Sequence, residues 1–170
     1  MADNTVNKPN ILGGDFSYIK KNLATYDDND HTTIGSWMKN SENENLILQM
    51  DIEGSEYEII NSITETNLKR FKIMVIEFHH FEQIITKLGY TMVSSVINKI
   101  NKYFDVSHIH PNNSSIVHKI SGIKIPSTLE ITFLNKENSK YKKKINKIPH
   151  EFDYKNKNKY PEIILSDSWY

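Results

Sequence analysis

Two short runs of apolar residues stand out along the chain, at 46–50 and 71–78. Each run is nearly continuous, which is typical of a strand buried on both faces, as in a parallel sheet. A third run, 104–110, ends at a proline followed by two asparagines, which is a strong turn signal. Residues 128–134 alternate between apolar and polar side chains, which predicts an antiparallel strand at the edge of the sheet.

The segments between these runs have the spacing of helices. Ser55-x-x-Glu58 is a capping box, which predicts a helix that begins there and ends near 64–67. Apolar residues recur at i, i+3, i+4 and i+7 from Phe81 to Leu88, and the pattern continues over 92–100. Strands that alternate with helices predict an α/β fold with a mostly parallel sheet.

The flanking segments are less regular. Residues 1–31 contain few periodic apolar side chains, and we expect a loosely ordered N-terminal segment there. Residues 136–159 hold nine lysines against three acids, so we expect 136–170 to form a Lys-rich tail that is disordered or wraps the surface. The predicted domain is therefore 32–135.

Composition excludes several classes of protein. The chain has 170 residues, no cysteine and a formal net charge of zero. Disulfide frameworks, thiolate zinc sites and cysteine nucleophiles are thus excluded. A uniformly basic nucleic-acid surface is not expected, although lysines and aromatics mix around 140–144. Residues 1–10 lack the apolar region of a signal peptide, and no apolar run could span a bilayer, so we expect a cytoplasmic protein without a membrane partner.

The candidate site lies where the predicted parallel strands end. Ligands of open α/β sheets bind beyond the carboxyl ends of the strands. This rule selects polar residues after each of the first three strands: Asp51 and Glu53, Glu77 with His79 and His80, and His110 with Asn112. A carboxylate there can orient a ligand hydroxyl or amine, and an imidazole can act as a base.

Simpler interpretations of these residues stay open. Asp51 and Glu53 could merely favour the positive end of the following helix. The histidines, with Asp51 and Glu77, could form a metal site of nitrogen and oxygen ligands. The sequence has no metal-binding spacing such as H-E-x-x-H, so no metal ligand is predicted. His79 and His80 are adjacent, so only one of them can face a shared site.

Several stretches, in order, resemble the FkbM-type methyltransferases, which use S-adenosylmethionine and belong to the class I group. Residues 48–58 are similar to the family pattern K-x-D-x-E-G-x-E-x-E, through Asp51, Glu53, Gly54, Glu56 and Glu58. The resemblance runs from about residue 32 to about residue 156. Its other parts are 75–79, 108–113, 126–134 and 149–156.

This resemblance implies a Rossmann-like methyltransferase sheet of which the chain holds strands four to seven, the last one antiparallel. Asp51 would then face both the methyl group of the cofactor and the acceptor, with Glu53 aiding it and His79 or His110 as base. Three further residues would contact the acceptor: Glu77, His80 and Asn112. The implied reaction is O-methylation of a hydroxyl on a sugar or small metabolite.

The chain departs from the family pattern in its first part. None of its six glycines forms a G-x-G-x-G loop after an apolar strand, and Gly13-Gly14 follows only two apolar residues. We therefore expect the first cofactor-binding strands to be missing, and the matching part to be C-terminal only. An alternative function follows, a non-catalytic relative that binds a carbohydrate or a partner chain. An unpaired strand at 46–50 would favour a homo-oligomer or a complementary N-terminal chain.

Overall fold

Strands and helices alternate through the middle of the chain in the computed structural model. The structure describes residues 5, 7–8, 18–39, 41, 44–138 and 147–169. The strands are β1 (Asn22–Leu23), β2 (His31–Thr32), β3 (Leu46–Met50), β4 (Phe71–Phe78), β5 (Phe104–Pro111), β6 (Val117–Ile120), β7 (Ile123–Pro126) and β8 (Leu129–Asn135). The α-helices are α1 (Ile34–Met38), α2 (Glu56–Ser62), α3 (Glu65–Lys69) and α4 (Lys87–Asn101), and a 3-10 helix spans Phe81–Ile85.

A mixed four-stranded sheet in the order β3-β4-β8-β5 forms the centre of the molecule. β3 is parallel to β4, and β8 is antiparallel to both β4 and β5. The prediction of an α/β fold with an antiparallel last strand is confirmed. The prediction that this strand lies at the edge is wrong, because β8 sits between β4 and β5. Its alternation reflects one apolar and one polar face, which a central strand can also have.

The helices cover one face of this sheet. Side chains of Met74, Ile76 and Phe78 on β4 are buried there, in register with Phe133, Ile131 and Leu129 of β8. Helix α2 contributes Ile59 and Ile60 to the same core, and α4 contributes residues spaced three and four apart: Val93, Val96 and Ile100. These residues are the apolar positions of the predicted strands and helices.

The helix after β3 is shorter than predicted. It begins at Glu56 with Ser55 as the N-cap residue, but the Ser55 side chain makes no capping hydrogen bond, so the predicted capping box is wrong. The helix stops at Ile63, whose backbone is extended, and Thr64 then caps the separate helix α3 through the amide of Asn67. Glu56, in the first turn of α2, binds the loop amides instead of Glu58, as described below.

A two-stranded hairpin, β6-β7, was not predicted from the sequence. Ser121 and Gly122 form its turn, with φ values of 49° and 85°. Positive φ at both central residues is the geometry that tight hairpins favour. The signal was a Ser-Gly pair between two short runs with isoleucine, valine and lysine.

The flanking segments contact the central part of the chain where the structure describes them. β1 pairs in parallel with β2. Near the other end, His108 on β5 contacts Asp153, and Asn113 donates hydrogen bonds to the carbonyls of Lys157 and Tyr160. The lysine cluster at 140–144 and the Gly13-Gly14 pair lie outside the described residues. The domain boundaries at 32 and 135 stay predictions. Among the described helices, none is long and apolar enough to cross a membrane.

Candidate active site

Three side chains predicted from the sequence converge beyond the carboxyl ends of β3 and β4. Asp51, Glu77 and His79 each offer one ligand atom, and these atoms lie within 4.8 Å of one another. His79 Nε2 is 3.8 Å from Asp51 Oδ1 and 3.4 Å from Glu53 Oε2. The parallel pairing of β3 with β4 causes this convergence, because it brings both strand ends to one edge of the sheet. Glu77 and His79, two residues apart, share one side of the extended chain.

Glu56 connects the loop after β3 to the His79 ring through hydrogen bonds. Its side chain is fully buried, and Oε1 accepts hydrogen bonds of 3.1 Å from the amides of Ile52 and Gly54. The same oxygen is 3.0 Å from His79 Nδ1. Sequence reasoning gave Glu56 no role, although it belongs to the quoted family pattern. A buried carboxylate needs such partners, and an acid at the first turn of a helix was the available signal.

The charges around His79 favour its protonated form. Burial of the ring works against the charge, but the hydrogen bond and negative charge of Glu56, with Glu53 and Glu77, raise the pKa of His79 above its usual value. The Tyr57 hydroxyl donates a 2.9 Å hydrogen bond to the carbonyl of His79. Burial, together with the nearby carboxylates of Glu56 and Glu82, raises the pKa of Tyr57 well above its usual range.

The loop between β3 and α2 has a strained backbone. Glu53 has φ 56° and Gly54 has φ 115°, both in the region that favours glycine. A Cβ on Gly54 would lie 3.2 Å from Cδ2 of His80. His80 itself has φ 54° and a side chain that is 64% exposed. The His79 side chain is thus directed toward the carboxylates, and His80 lies beside Gly54 at the surface. This agrees with the expectation that only one of the two adjacent histidines can face the site.

Glu77 and Asn112 are brought together as well. Asn112 Nδ2 donates a 2.9 Å hydrogen bond to Glu77 Oε1. Asn112 Oδ1 accepts hydrogen bonds from the amide and hydroxyl of Ser114, which fix the orientation of the Asn112 side chain. The loop after β5 therefore positions Glu77 through a hydrogen bond to one of its two carboxylate oxygens.

His110 is not part of this group. It lies opposite Glu130 of β8, which in turn lies opposite Glu77 of β4. Two strand spacings separate His110 from Glu77, about 10 Å. His110 is buried, and its Nε2 is 3.6 Å from Glu162 Oε2 in the C-terminal segment. Its role as a base stays a prediction, and the geometry favours His79 for that role.

A cavity of about 650 Å³ opens next to Asp51. One wall is the loop from Asp51 to Glu58, and the other is the segment around β1 and β2. Sequence reasoning assigned nothing to that second wall, which includes Asn22, Tyr26 and His31. Asp27 fixes it in place, since its carboxylate accepts hydrogen bonds from the amide and hydroxyl of Thr33 and the hydroxyl of Ser36.

The protein thus has an α/β fold with a cluster of carboxylates and one imidazole at the carboxyl ends of two parallel strands. A sequence model of the FkbM methyltransferase domain matches residues 2–105 of the chain. The chain belongs to the FkbM methyltransferase family. No curated protein and no solved structure matches it.

The matched range ends in the second residue of β5 and begins well before the predicted boundary at residue 32. It includes the β1-β2 wall of the cavity as well as the loop with Asp51. The family is generally S-adenosylmethionine-dependent. It stays a prediction that the chain corresponds only to the C-terminal part of the family's domain.

Proposed function

We propose that this protein transfers a methyl group from S-adenosylmethionine to a hydroxyl of a sugar or small metabolite. The observation that carries the proposal is the position of Asp51, which lines the large cavity and lies 3.8 Å from His79 Nε2. One carboxylate thus borders both a space for ligands and a candidate base. Family membership supplies the class of reaction.

The order β3-β4-β8-β5 supports a finer assignment. If the four strands are the fourth to seventh of a Rossmann-like methyltransferase sheet, the order is four, five, seven, six, with the seventh antiparallel. The observed directions agree with this assignment. Asp51 then directly follows the fourth strand, and Glu77 is the second-to-last residue of the fifth.

The cavity suits the cofactor in charge, and its volume of about 650 Å³ is in the range of small-molecule sites. Its lining includes the carboxylates of Asp51, Glu53 and Glu58 and the aromatic ring of Tyr26. Carboxylates suit the cationic sulfonium and amine and the ribose hydroxyls, and an aromatic ring suits adenine. When bound, S-adenosylmethionine supplies an electrophilic methyl group.

The residues of the chain would position the acceptor and hold its proton. Asp51 accepts a hydrogen bond from the acceptor hydroxyl and orients its oxygen, which is the main requirement for an in-line displacement. In the neutral ring, Nδ1–H donates to Glu56, so the lone pair of His79 Nε2 can receive the proton that the hydroxyl loses. Glu56 then stabilises the resulting imidazolium.

The test is transfer of a labelled methyl group from S-adenosylmethionine to a panel of sugar and small-metabolite hydroxyls. Wild-type chain should label at least one acceptor class. His79→Gln should lower turnover about 100-fold or more, since a lost base costs that much. Glu151→Gln, at an exposed acid of the C-terminal segment, is the matched control and should retain full activity. Equal activity in His79→Gln would refute the assigned base.

One observation favours a second candidate function, that of a partner-binding module. Within the described part of the chain, β3 is an edge strand of the sheet, and Ile47 on it is 70% exposed. An apolar edge is a surface on which another chain can pair. A chain that binds no S-adenosylmethionine and forms a stable oligomer in light scattering would support this function over catalysis.

A further inference from the structure

Two carboxylates and one imidazole converge beyond β3 and β4 with their acceptor atoms facing one another. We propose that Asp51, Glu77 and His79 bind a divalent transition-metal ion of the Mn²⁺ class, next to the acceptor site. The case for the ion rests on the geometry and is independent of the proposed function. Its role, polarising the acceptor hydroxyl, rests on the proposed methyl transfer, and with the ion bound His79 would serve as a ligand through Nε2 and no longer as the base.

The distances suit a common ion. Bonds of about 2.1 Å place ligand atoms on opposite sides of an ion about 4.2 Å apart. His79 Nε2 and Asp51 Oδ1, at 3.8 Å, are already within this limit. Each of the three pairs is within 4.8 Å, so a small side-chain rotation completes the set. Glu53 Oε2, 3.4 Å from His79 Nε2, is near enough to join as a fourth ligand.

The charges at this point favour a cation. Glu56 Oε1 is 3.0 Å from His79 Nδ1, so the neutral ring carries its hydrogen on Nδ1 and presents the Nε2 lone pair to Asp51. Carboxylates can only accept, so beside the neutral ring these groups are stabilised by a cation, which can be a metal ion on Nε2 or the proton that makes His79 an imidazolium. In the described part of the chain, no lysine or arginine pairs with Asp51, Glu53 or Glu77.

Two of the three ligands are held by partners outside the set. Glu56 is fully buried and fixes the His79 ring, and Asn112 Nδ2 holds Glu77 Oε1 at 2.9 Å. Metal-binding histidines and carboxylates usually have such supporting hydrogen bonds, which set tautomer and orientation. This group differs from a chance cluster of surface acids. Its imidazole is already oriented, and His79 Nε2 is directed at the carboxylates of Asp51 and Glu53.

The ligand set selects the class of ion. One nitrogen with two carboxylates suits Mn²⁺, Fe²⁺ or Zn²⁺, whereas Mg²⁺ and Ca²⁺ prefer oxygen alone. Open positions remain, since only three protein ligands converge, and a hydroxyl of the acceptor can occupy one of them. The ion would then favour loss of the hydroxyl proton to solvent and stabilise the negative charge on the oxygen that attacks the methyl group.

The test is a titration of the full chain with Mn²⁺. The electron paramagnetic resonance signal of the free ion is recorded at each step. We expect loss of the signal with one equivalent bound. Spin-echo modulation of the bound ion should show coupling to one imidazole nitrogen. Asp51→Asn and Glu77→Gln should each weaken binding at least about 10-fold, and Glu56→Gln should weaken it by about 10-fold through the freed ring. Glu151→Gln should bind as wild type does.

Three results would overturn the metal site. They are no binding by folded wild-type chain, no nitrogen coupling, and wild-type affinity in Asp51→Asn. The first two are read on the wild type, so a variant that fails to fold does not affect them. His79→Gln must abolish the nitrogen coupling, since a surviving signal would assign the ion to other histidines. Cofactor binding is measured separately: S-adenosylmethionine binding without Mn²⁺ binding refutes the metal site and leaves methyl transfer intact.

Discussion

The two faces of the central sheet differ in almost every position. On one face Met74, Ile76 and Phe78 of β4 are buried under α2 and α4. On the other face, Val75 and Glu77 of the same strand are only half-buried. Glu77 there forms a row with Glu130 and His110 of the next two strands. Stability is thus concentrated on the apolar face, and polar side chains that would be costly in a core are grouped on the other.

The polar face is itself divided. At the β5 end, the segment 147–169 covers it, with Asp153 on His108 and Glu162 near His110. At the β3 end, Asp51 borders a cavity of about 650 Å³. The same kinds of side chain are therefore tied down at one end and accessible at the other. This difference is why we place the chemistry at Asp51 and His79.

The largest loss of stability should come from the apolar face. Phe133 is fully buried and packs edge-on against Phe78, with ring centres 6.4 Å apart. Phe133→Ala should lower the free energy of unfolding by about 3–5 kcal/mol in urea unfolding. Thr132→Ala, one residue away on the polar face, should cost below about 1 kcal/mol. Equal losses at the two positions would contradict the division of the sheet into two faces.

Glu56 should have the next largest effect, because it is the one site residue within the buried core. Glu56→Ala leaves the amides of Ile52 and Gly54 without their acceptor. An unsatisfied buried donor costs about 1–3 kcal/mol, so we expect a loss of about 3 kcal/mol in urea unfolding. Glu58→Ala, at an exposed acid two residues on, is the control and should cost little.

Lys99 should have a smaller effect. It lies on α4, and its ammonium donates hydrogen bonds to the carbonyls of Ile60, Asn61 and Ile63, where α2 ends. Lys99→Met keeps the length of the side chain but removes these bonds. We expect a loss of about 1–2 kcal/mol, measured by urea unfolding. Lys87→Met, at the exposed start of the same helix, should be neutral, and a similar loss there would point to a general charge effect.

Asp51 should have the smallest effect on stability and the clearest effect on function. Its side chain is 52% exposed. Asp51→Asn should change the free energy of unfolding by less than about 1 kcal/mol. It should lower methyl transfer by about 100-fold, because it removes the group that orients the acceptor. A drop in melting temperature with unchanged turnover would mean that Asp51 only supports the start of α2.

The four strands of the central sheet and the convergence of Asp51, Glu77 and His79 could be predicted from the sequence. Apolar runs fix buried strands, and parallel strands end at one edge of the sheet. The position of β8 could not be predicted, because alternation reports two unlike faces and not the neighbours of a strand. Separation of His110 from Asp51 follows from that position, since β8 lies between β4 and β5.

Two parts of the site depend on side-chain hydrogen bonds that the pattern of apolar and polar residues does not show. Glu56 reaches His79 across 23 residues, and the cavity wall at Tyr26 and His31 is set by hydrogen bonds of Asp27. The capping box was misleading for the same reason. Glu56 binds the loop amides, and Ser55 makes no side-chain cap.

The most direct test of the central claim is thermal unfolding of the full chain with and without S-adenosylmethionine. A ligand that binds only the folded state at 100 times its dissociation constant adds about 2.7 kcal/mol of stability. We predict one cooperative transition whose midpoint temperature rises with the cofactor concentration. A cooperative transition that stays unchanged at saturating cofactor would contradict this prediction and would leave the partner-binding function as the better explanation.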